Sequence, residues 1–383
     1  MATAPRHPSL DRQRLQEALR LAESSFGLTE PNPRVGCILG HEDGRVLGRG
    51  ATQEAGGPHA EVMALRDARA AGHNLRGATA WVTLEPCAHH GRTPPCCDAL
   101  VEAGIARVVV AVGDPFPAVA GAGLARLRAA GIEVALAGGE IEREARELNL
   151  GFFSRVLRGR PWVRMKIAAS LDGRTALPNG VSQWITGEDA RRDGHAWRRR
   201  AGALLTGIGT VLEDDPRLDV RLVETARQPL RVVVDSRLEL PPTARILAPP
   251  GRVVVYAAVD DERRRAALEA AEAEIALRPL PNGKVDLAAL LADLARREVN
   301  ELHVEAGHKL NGSLLREGLV DELLVYLAPC LLGAGREMAV LGPFESLSDQ
   351  LAFRFVECVQ VGQDLRLRAR VSARLPAATE ASP

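Results

Sequence analysis

The sequence predicts an α/β protein of two layered domains. Three observations carry that reading. Short apolar, β-branched stretches alternate with stretches of helical period along the chain. A set of His, Glu and Cys residues with metal-ligand chemistry is confined to the front third. The alternation restarts after a charged and then basic stretch near residue 150, as it does where one core ends and another begins. At 383 residues the chain is long enough for two cores. We expect a front domain over 1–150, a basic linker over 151–160, a second domain over 161–375, and a frayed tail of small and polar residues over 376–383.

In order, Asp11 to Phe26 reads as an amphipathic helix with Leu15, Leu19 and Ala22 on one face. Pro31-Asn32-Pro33 stiffens a turn, in which Asn32 is either a substrate contact or a turn-forming side chain. Val35–Leu39 and Arg45–Gly48 form a hairpin across the turn at His41 to Gly44. A helix opens near His59 and runs to Ala71, so that residues 59 and 61 lie on its first turn. Ala80–Leu84 is a strand, Cys96–Ala103 a helix, Arg107–Val112 a buried strand, Gly123–Ala130 a helix and Ile132–Leu136 a strand. Glu140–Leu150 is a charged helix.

His59, Cys87 and Cys96 are one imidazole and two potential thiolates, a set that zinc favours, and three protein ligands leave a fourth position for water. Zinc in such a site lowers the pKa of bound water towards about 7. Glu61, two residues past His59, is placed to move that water's proton to a leaving amine. The order H-x-E…P-C is the signature of zinc-dependent base deaminases. Eight residues separate Cys87 from Cys96 rather than two, so a looped-out path is needed, and Pro86, Pro94, Pro95 and Gly91 suit one. His89, His90 and Cys97 are alternative ligands, otherwise loop groups and a small buried thiol. A structural zinc knot would need a fourth protein ligand and would leave Glu61 without a role.

In the second half, Trp162–Ser170 is a strand and Leu171–Arg174 a turn. Thr186, with Asp189 three residues on, is expected to cap a helix that ends near Arg200. Strands follow at Leu204–Gly207, Arg231–Asp235, Val253–Ala257, Leu302–Glu305, Leu323–Ala328 and within Phe353–Arg370. Two glycine-bearing turns, Thr206 to Thr210 and Gly307 to Ser313, lead from strands towards helices. Such turns either present backbone donors to phosphate or are simply tight connections. Neither is a full dinucleotide or nucleoside-triphosphate loop.

Composition narrows the partners. Basic and acidic residues balance at 49 each, and aromatics are 3%, so neither a backbone-tracking basic stripe nor stacking platforms are available. We expect a small-molecule substrate and no nucleic acid. No apolar run is long enough to span a bilayer, and Met1 to Pro8 lacks an apolar signal core, so we expect no membrane partner. Six cysteines in so long a chain are metal ligands and reduced thiols rather than a disulfide framework, which points to the cytoplasm.

The motifs His59-Ala60-Glu61, Thr83-Leu84-Glu85-Pro86-Cys87, Gly91-Arg92-Thr93-Pro94-Pro95-Cys96, Pro31 to Gly36 and Asp114-Pro115 resemble the deaminase half of the bifunctional riboflavin-biosynthesis deaminase/reductase family. Lys166 to Arg174, Ser182-Gln183-Trp184-Ile185-Thr186, Thr210 to Pro216 and Val304-Glu305-Ala306-Gly307 are similar to its reductase half. The resemblance covers about residues 10–370 and implies a cytidine-deaminase-like three-layer domain followed by a dihydrofolate-reductase-like domain that uses NADPH. It implies hydrolytic loss of the 2-amino group from 2,5-diamino-6-(5-phosphoribosylamino)pyrimidin-4(3H)-one. Reduction of the ribosyl group of 5-amino-6-(5-phosphoribosylamino)uracil to ribityl then follows. It also implies a homo-oligomer, a dimer or larger, formed through the second domain.

Carried over residue by residue, it assigns Ala168, Trp184, Thr210 and Asp214 to the cofactor, with Gly307, His308, Lys309, Leu310, Asn311, Gly312 and Ser313 around its phosphates. Ser182, Arg198, Leu218, Arg221 and Glu305 face the substrate, and the arginine forks suit its phosphate. Arg198 read alone is a solvated helix charge in the Arg198-Arg199-Arg200 run. Lys166 and Asp172 are polar participants near the sugar, or a sheet-edge charge and a turn former. His308 departs from the smaller residue of many relatives. Two other readings remain: a nucleoside or tRNA deaminase fused to an unrelated reductase, and a non-catalytic zinc-stabilised binding module.

Overall fold

The computed structural model describes residues 7–88, 94–116 and 120–372. His89, His90, residues 91–93 and the tail at 376–383 lie outside these. The chain divides into two compact units, Met1–Arg160 and Pro161–Pro383.

The front unit runs α1 (Pro8–Glu23), β1 (Gly36–Gly40), β2 (Val46–Ala51), α2 (Ala60–Ala70), β3 (Thr79–Val82), α3 (Cys96–Glu102), β4 (Arg107–Val110), α4 (Ala122–Ala129), β5 (Glu133–Leu136), α5 (Gly139–Leu148) and α6 (Leu150–Arg158). Its five strands lie in the order β2-β1-β3-β4-β5, antiparallel through β2, β1 and β3, then parallel to β5. In α1 the buried residues Leu15, Ala18, Leu19 and Ala22 form one helical stripe against the sheet. Asp11 on the same helix receives the Trp81 indole N–H at 2.7 Å and two Arg107 donors at 2.9 and 2.7 Å, all buried, which ties α1 to β3 and β4.

Two glycine contacts set the layer spacing. A Cβ on Gly36 would stand 1.9 Å from Ala18 O in α1, and one on Gly50 would stand 2.1 Å from Ala60 O in α2. Gly50 pairs with Cys37, the next residue after Gly36, so the two glycines point to opposite faces. Helices therefore cover both faces of the sheet, and the unit has three layers.

Residues 151–160 correct an expectation, because they do not form a linker. Most of the stretch is α6, which ends at Gly159 with φ of 66°. Its basic residues suggested a solvated connector. Phe152 and Phe153, however, are 7% and 8% exposed within the front core, and the guanidiniums of Arg155 and Arg146 cover their rings.

The second unit runs β6 (Trp162–Ser170), β7 (Arg174–Ala176), α7 (Glu188–Arg200), β8 (Ala203–Gly207), α8 (Ile208–Asp214), β9 (Leu230–Val234), β10 (Val253–Ala257), α9 (Glu262–Ala270), β11 (Ala273–Leu277), α10 (Leu287–Arg296), β12 (Glu301–Val304), α11 (His308–Arg316), β13 (Glu322–Ala328), β14 (Arg336–Glu337), β15 (Phe353–Val361) and β16 (Asp364–Val371). Nine strands lie in the order β11-β10-β9-β8-β12-β6-β13-β16-β15. The first seven are parallel, and β16 and β15 add an antiparallel hairpin at one edge. The short β7 pairs with β14 apart from this sheet. The central strands are buried on both faces, as parallel sheets are. The edge strand β15 is largely exposed, with Phe355 at 72%.

Thr186 does not cap α7. The cap residue is Gly187, whose N–H donates to Asp364 Oδ2 at 2.8 Å, so a tertiary contact takes over the work of a local one. Among the described residues no helix is long and apolar enough to cross a membrane.

The Gly50 contact generates a prediction. Gly50→Ala must push α2 off the sheet at the end that carries His59 and Glu61. It should cost about 1–3 kcal/mol by overpacking and lower the zinc content. Unchanged melting temperature and full zinc by metal analysis would show that the close approach is not needed.

Candidate active sites

His59 is the N-cap of α2 in extended conformation (φ −76°, ψ 169°), and Glu61 follows in the first turn. Cys87 comes five residues after Val82, the last residue of β3, and Cys96 is the first residue of α3, after Pro95. Helix starts offer unpaired N–H groups, and the Cys96 N–H accordingly points at Cys87 Sγ, 3.3 Å away. His59 Nδ1 stands 3.7 Å from Cys87 Sγ and 3.3 Å from Cys96 Sγ. All three donor atoms lie within 4.8 Å of one another. Tetrahedral zinc with ordinary Zn–N and Zn–S bonds requires N···S edges of about 3.5 Å, so the trio fits zinc. Among the described residues no fourth His, Cys, Asp or Glu joins it.

The electrostatics point the same way. Hydrogen bonds from Cys96 and His59 draw the Cys87 thiol down to about 4. The Cys96 thiol is pushed up by its hydrogen bond with Cys87 and by burial, since a second negative charge is opposed there. A divalent cation reverses that opposition and stabilises both thiolates. Glu61 is 3% exposed, and burial, helped by the nearby Cys87 charge, raises its carboxyl to about 7.

Cys97 is not a ligand in this arrangement. Its thiol faces Pro86 O at 3.3 Å and Gly123 O at 3.5 Å. Sequence reasoning gave Glu85 no role, although it sits in the quoted motif. Its buried carboxylate accepts four backbone N–H groups, from Asp114, Gly121, Gly123 and Leu124, at 3.2, 3.1, 3.0 and 3.3 Å, and so pins the segment beyond β4 beside Cys87. The only available signal was an acidic residue at the end of an apolar strand. Burial raises the Asp114 carboxyl to about 6. Asn32 lies in the turn before β1, with its N–H on Thr29 O at 2.8 Å. No described contact joins Asn32 to the metal trio.

In the second unit three clefts open beyond the C-terminal ends of the parallel strands, where open α/β sheets bind ligands. One, of about 260 Å³, is lined by Lys166, Ala168, Ser182, Trp184, Thr210, Asp214, Glu305, Gly307, His308 and Asn311. A second, of about 650 Å³, shares Lys166, Trp184, Thr210, Asp214 and Glu305 and adds Arg198, Leu218, Arg221 and His195. A third, of about 820 Å³, shares Thr210, Gly307 and His308 with the first and adds Ser236, Lys284, Lys309, Leu310 and Ser313. Shared walls make the three one trough. Sequence reasoning missed Ser236 and Lys284, which lie in stretches without a motif.

The expected phosphate loop at 307–313 is instead the first turns of α11. Only Gly307, at the cap, is outside the helix. Gly312 is packed on Val340, where a Cβ would stand 2.1 Å from the carbonyl oxygen, so it faces the core and not the trough. The Asn311 amide donates to Met338 O at 3.1 Å, while its buried Oδ1 has no partner among the described residues. The Thr210 hydroxyl receives the Gly307 N–H at 3.1 Å and fixes α8 against α11.

The guanidinium of Arg198 is not a solvated charge. Its Nε and Nη2 donate to Glu305 at 2.5 and 2.8 Å and its Nη1 to Asp219 O at 2.8 Å, so its fork grips a carboxylate of its own chain. Arg221 is more exposed, with one donor on Asp219 Oδ1 at 2.5 Å. Burial and the charges of Arg198 and Arg221 bring His195 down to about 4. Desolvation also lowers Lys166, against the pull of Glu305. Trp184 is 66% exposed, with the Arg191 guanidinium 4.7 Å from its ring centre. Asp172 makes a turn. It accepts from Ser170 Oγ and from the Leu332 and Gly333 N–H groups, and those bonds hold it at about 2.

Comparison with known proteins accords with both sites. Residues 8–112 match the cytidine and deoxycytidylate deaminase zinc-binding region, and residues 161–367 match the RibD C-terminal domain. The riboflavin biosynthesis protein RibD of Escherichia coli is 46% identical over 370 residues, covering 93% of this chain and 98% of that protein. The RibD of Aquifex aeolicus is 41% identical over 357 residues, covering 93% and 97%. Among solved structures, Acinetobacter baumannii RibD superposes with a TM-score of 0.85 at 42% identity, covering 96% of this chain and 100% of that one. The diaminohydroxyphosphoribosylaminopyrimidine deaminase/5-amino-6-(5-phosphoribosylamino)uracil reductase of Thermotoga maritima gives 0.83 at 33% identity, with the same coverage. The expected fold, a cytidine-deaminase-like front domain and a RibD-type reductase domain, holds over both units. With a deaminase site in one unit, a reductase domain in the other, and relatives matched along nearly their whole length, the chain belongs to the RibD family of bifunctional riboflavin-biosynthesis deaminase/reductases.

Proposed function

We propose that the front unit removes the 2-amino group of 2,5-diamino-6-(5-phosphoribosylamino)pyrimidin-4(3H)-one as ammonia. In this reading the second unit then reduces 5-amino-6-(5-phosphoribosylamino)uracil to its ribitylamino form with NADPH. The observation that carries the first step is the trio His59, Cys87 and Cys96 beside buried Glu61, with no fourth donor among the described residues. His59, Cys87 and Cys96 would hold zinc, which would supply the Lewis acidity that lets bound water lose a proton near neutrality. Glu61, buried beside the trio, would take that proton on its carboxylate and deliver it to the departing nitrogen. Asn32 is proposed as a contact to the pyrimidine, on the strength of the family resemblance.

For the second step, the trough supports a dinucleotide laid from the cleft with Lys284, Lys309 and Ser313 towards Ala168, Trp184 and Asp214. Asn311 Oδ1, which has no partner among the described residues, is a fitting acceptor for a carboxamide N–H. Ser182, Leu218 and Arg221 line the part left for the substrate, with Arg221 nearest to a free phosphate fork. NADPH, when bound, supplies the hydride for ribose C1′. As the C1′–O4′ bond opens, O4′ must gain a proton. Lys166 is the half-buried acid that faces both clefts, and desolvation makes its proton easier to give. The Arg198–Glu305 pair holds the opposite charge beside it.

The free cysteines fit a reducing cytoplasm. The exposed apolar residues Phe355, Leu365 and Val371 on one face of the β15–β16 hairpin fit pairing with a second copy of the chain.

Three measurements follow. Glu61→Gln should retain its zinc and slow ammonia release by about 10²–10⁴-fold, with oxidation of NADPH by the deaminated intermediate unchanged. Normal ammonia release would remove Glu61 as proton carrier. Lys166→Met should leave deamination intact and cut NADPH oxidation by about 10²-fold or more. A rate near wild type would move the acid elsewhere. Phe355→Glu should shift the sedimenting species towards monomer, and an unchanged assembly would exclude this edge as the contact.

A further inference from the structure

A buried imidazole lies behind the trough, and none of the roles above uses it. Along β12 side chains alternate, so Glu301, His303 and Glu305 share one face of the sheet. His303 is opposite Arg164 of β6 and Leu204 of β8 and is fully buried. It lines neither the first nor the second cleft. Its Nε2 stands 3.3 Å from Glu305 Oε1, off the line of a straight hydrogen bond, and neither ring nitrogen has another partner among the described residues. Buried polar atoms are nearly always paired, so an imidazole left this way needs a reason. Burial, with Arg164 and Arg198 adding to it, keeps the ring neutral. A neutral imidazole has one N–H, and a carboxylate neighbour selects the nitrogen that faces it.

Glu305 is the group this ring can serve. From α7 it meets both donors of Arg198, with His195 and the Asp219 carbonyl on Arg198's far side. From β6 it faces the charge of Lys166, and from its own strand His303. Arg198 holds the carboxylate from one side, and His303 is the donor that reaches it from within the sheet. A small turn of the ring brings Nε2–H into line.

We propose that His303 is a positioning residue that directs the Glu305 carboxylate towards Lys166. The imidazole keeps its proton throughout and touches neither substrate nor cofactor. The inference rests on the reductase reading above. A hydrogen bond to the charged form of a carboxyl favours that form. Without it Glu305 becomes easier to protonate, and its hold on the Lys166 proton weakens.

The test uses the full chain with its zinc. NADPH oxidation with the deaminated intermediate is followed from about pH 5 to about pH 9 for wild type, His303→Leu and His303→Gln. We expect His303→Leu to lower kcat about tenfold and to move the alkaline limb of its profile, where Lys166 gives up its proton, down by about one pH unit, with the KM for NADPH and ammonia release unchanged. His303→Gln, whose amide N–H can replace Nε2–H, should recover most of both. A wild-type pH limb in His303→Leu overturns the proposal. So does His303→Gln as impaired as His303→Leu, since packing alone would then explain the loss. If wild type oxidises no NADPH, the reductase reading fails, and imidazole ¹⁵N NMR decides the question for His303 separately. The resonance lost in His303→Gln should report a neutral ring protonated at Nε2 and should shift in Glu305→Gln. A resonance indifferent to Glu305→Gln overturns the proposal.

Discussion

The front unit depends on a chelate of three atoms. His59 Nδ1, Cys87 Sγ and Cys96 Sγ come from two helix starts and one loop, and they meet within 4.8 Å. Nothing local to any one of these segments could bring them together. The meeting depends on α2 lying close on the hairpin, which Gly48 and Gly50 permit by having no side chain to intervene. It depends equally on the segment after β3, which Thr83 fastens by accepting the Gly36 N–H and Glu85 by gathering four backbone donors. Charge alone would keep the two thiols from ionising together. A divalent cation removes that conflict, so the geometry and the electrostatics suit the same partner.

The second unit solves a different problem with similar means. Its parallel strands end in a row, and the loops beyond them form the trough. Charges behind the trough are committed to one another. Arg164 is fully buried between Glu322, at 2.7 Å, and Glu301, at 2.8 Å. Arg200 joins Glu301, and Arg368 and Arg370 join Glu322. Buried pairs of this kind seldom add net stability, but losing one member leaves an uncompensated charge. The network therefore resists rearrangement and gives Glu305 and Lys166 a fixed background. Arg198 belongs to that background as much as to the substrate pocket, since its donors are taken.

The sequence was most legible where chemistry constrains residue type. His59, Glu61, Cys87 and Cys96 stood out because few functions other than metal binding and proton transfer call for them in that order, and the central strands stood out as apolar runs. It was least legible where meaning depends on a distant partner. Arg155 and Arg158 suggested a linker, yet Phe152 and Phe153 on the same stretch reach the core and make it a helix. Thr186 looked like a cap, but Asp364, far along the chain, satisfies that helix start. Gly307 to Ser313 looked like a loop because glycines read as turns, whereas Gly312 is there to let α11 approach Val340. Glu85 and His303 were silent because a buried carboxylate among backbone amides, or a buried imidazole behind a carboxylate, leaves no mark in local pattern.

The central claim is an open coordination position beside Glu61. X-ray absorption at the zinc edge of the purified protein tests it most directly. The account predicts two sulfur ligands, one imidazole nitrogen and one oxygen from water. A shell of four protein donors, with a second imidazole or a third sulfur in place of the water, would contradict it.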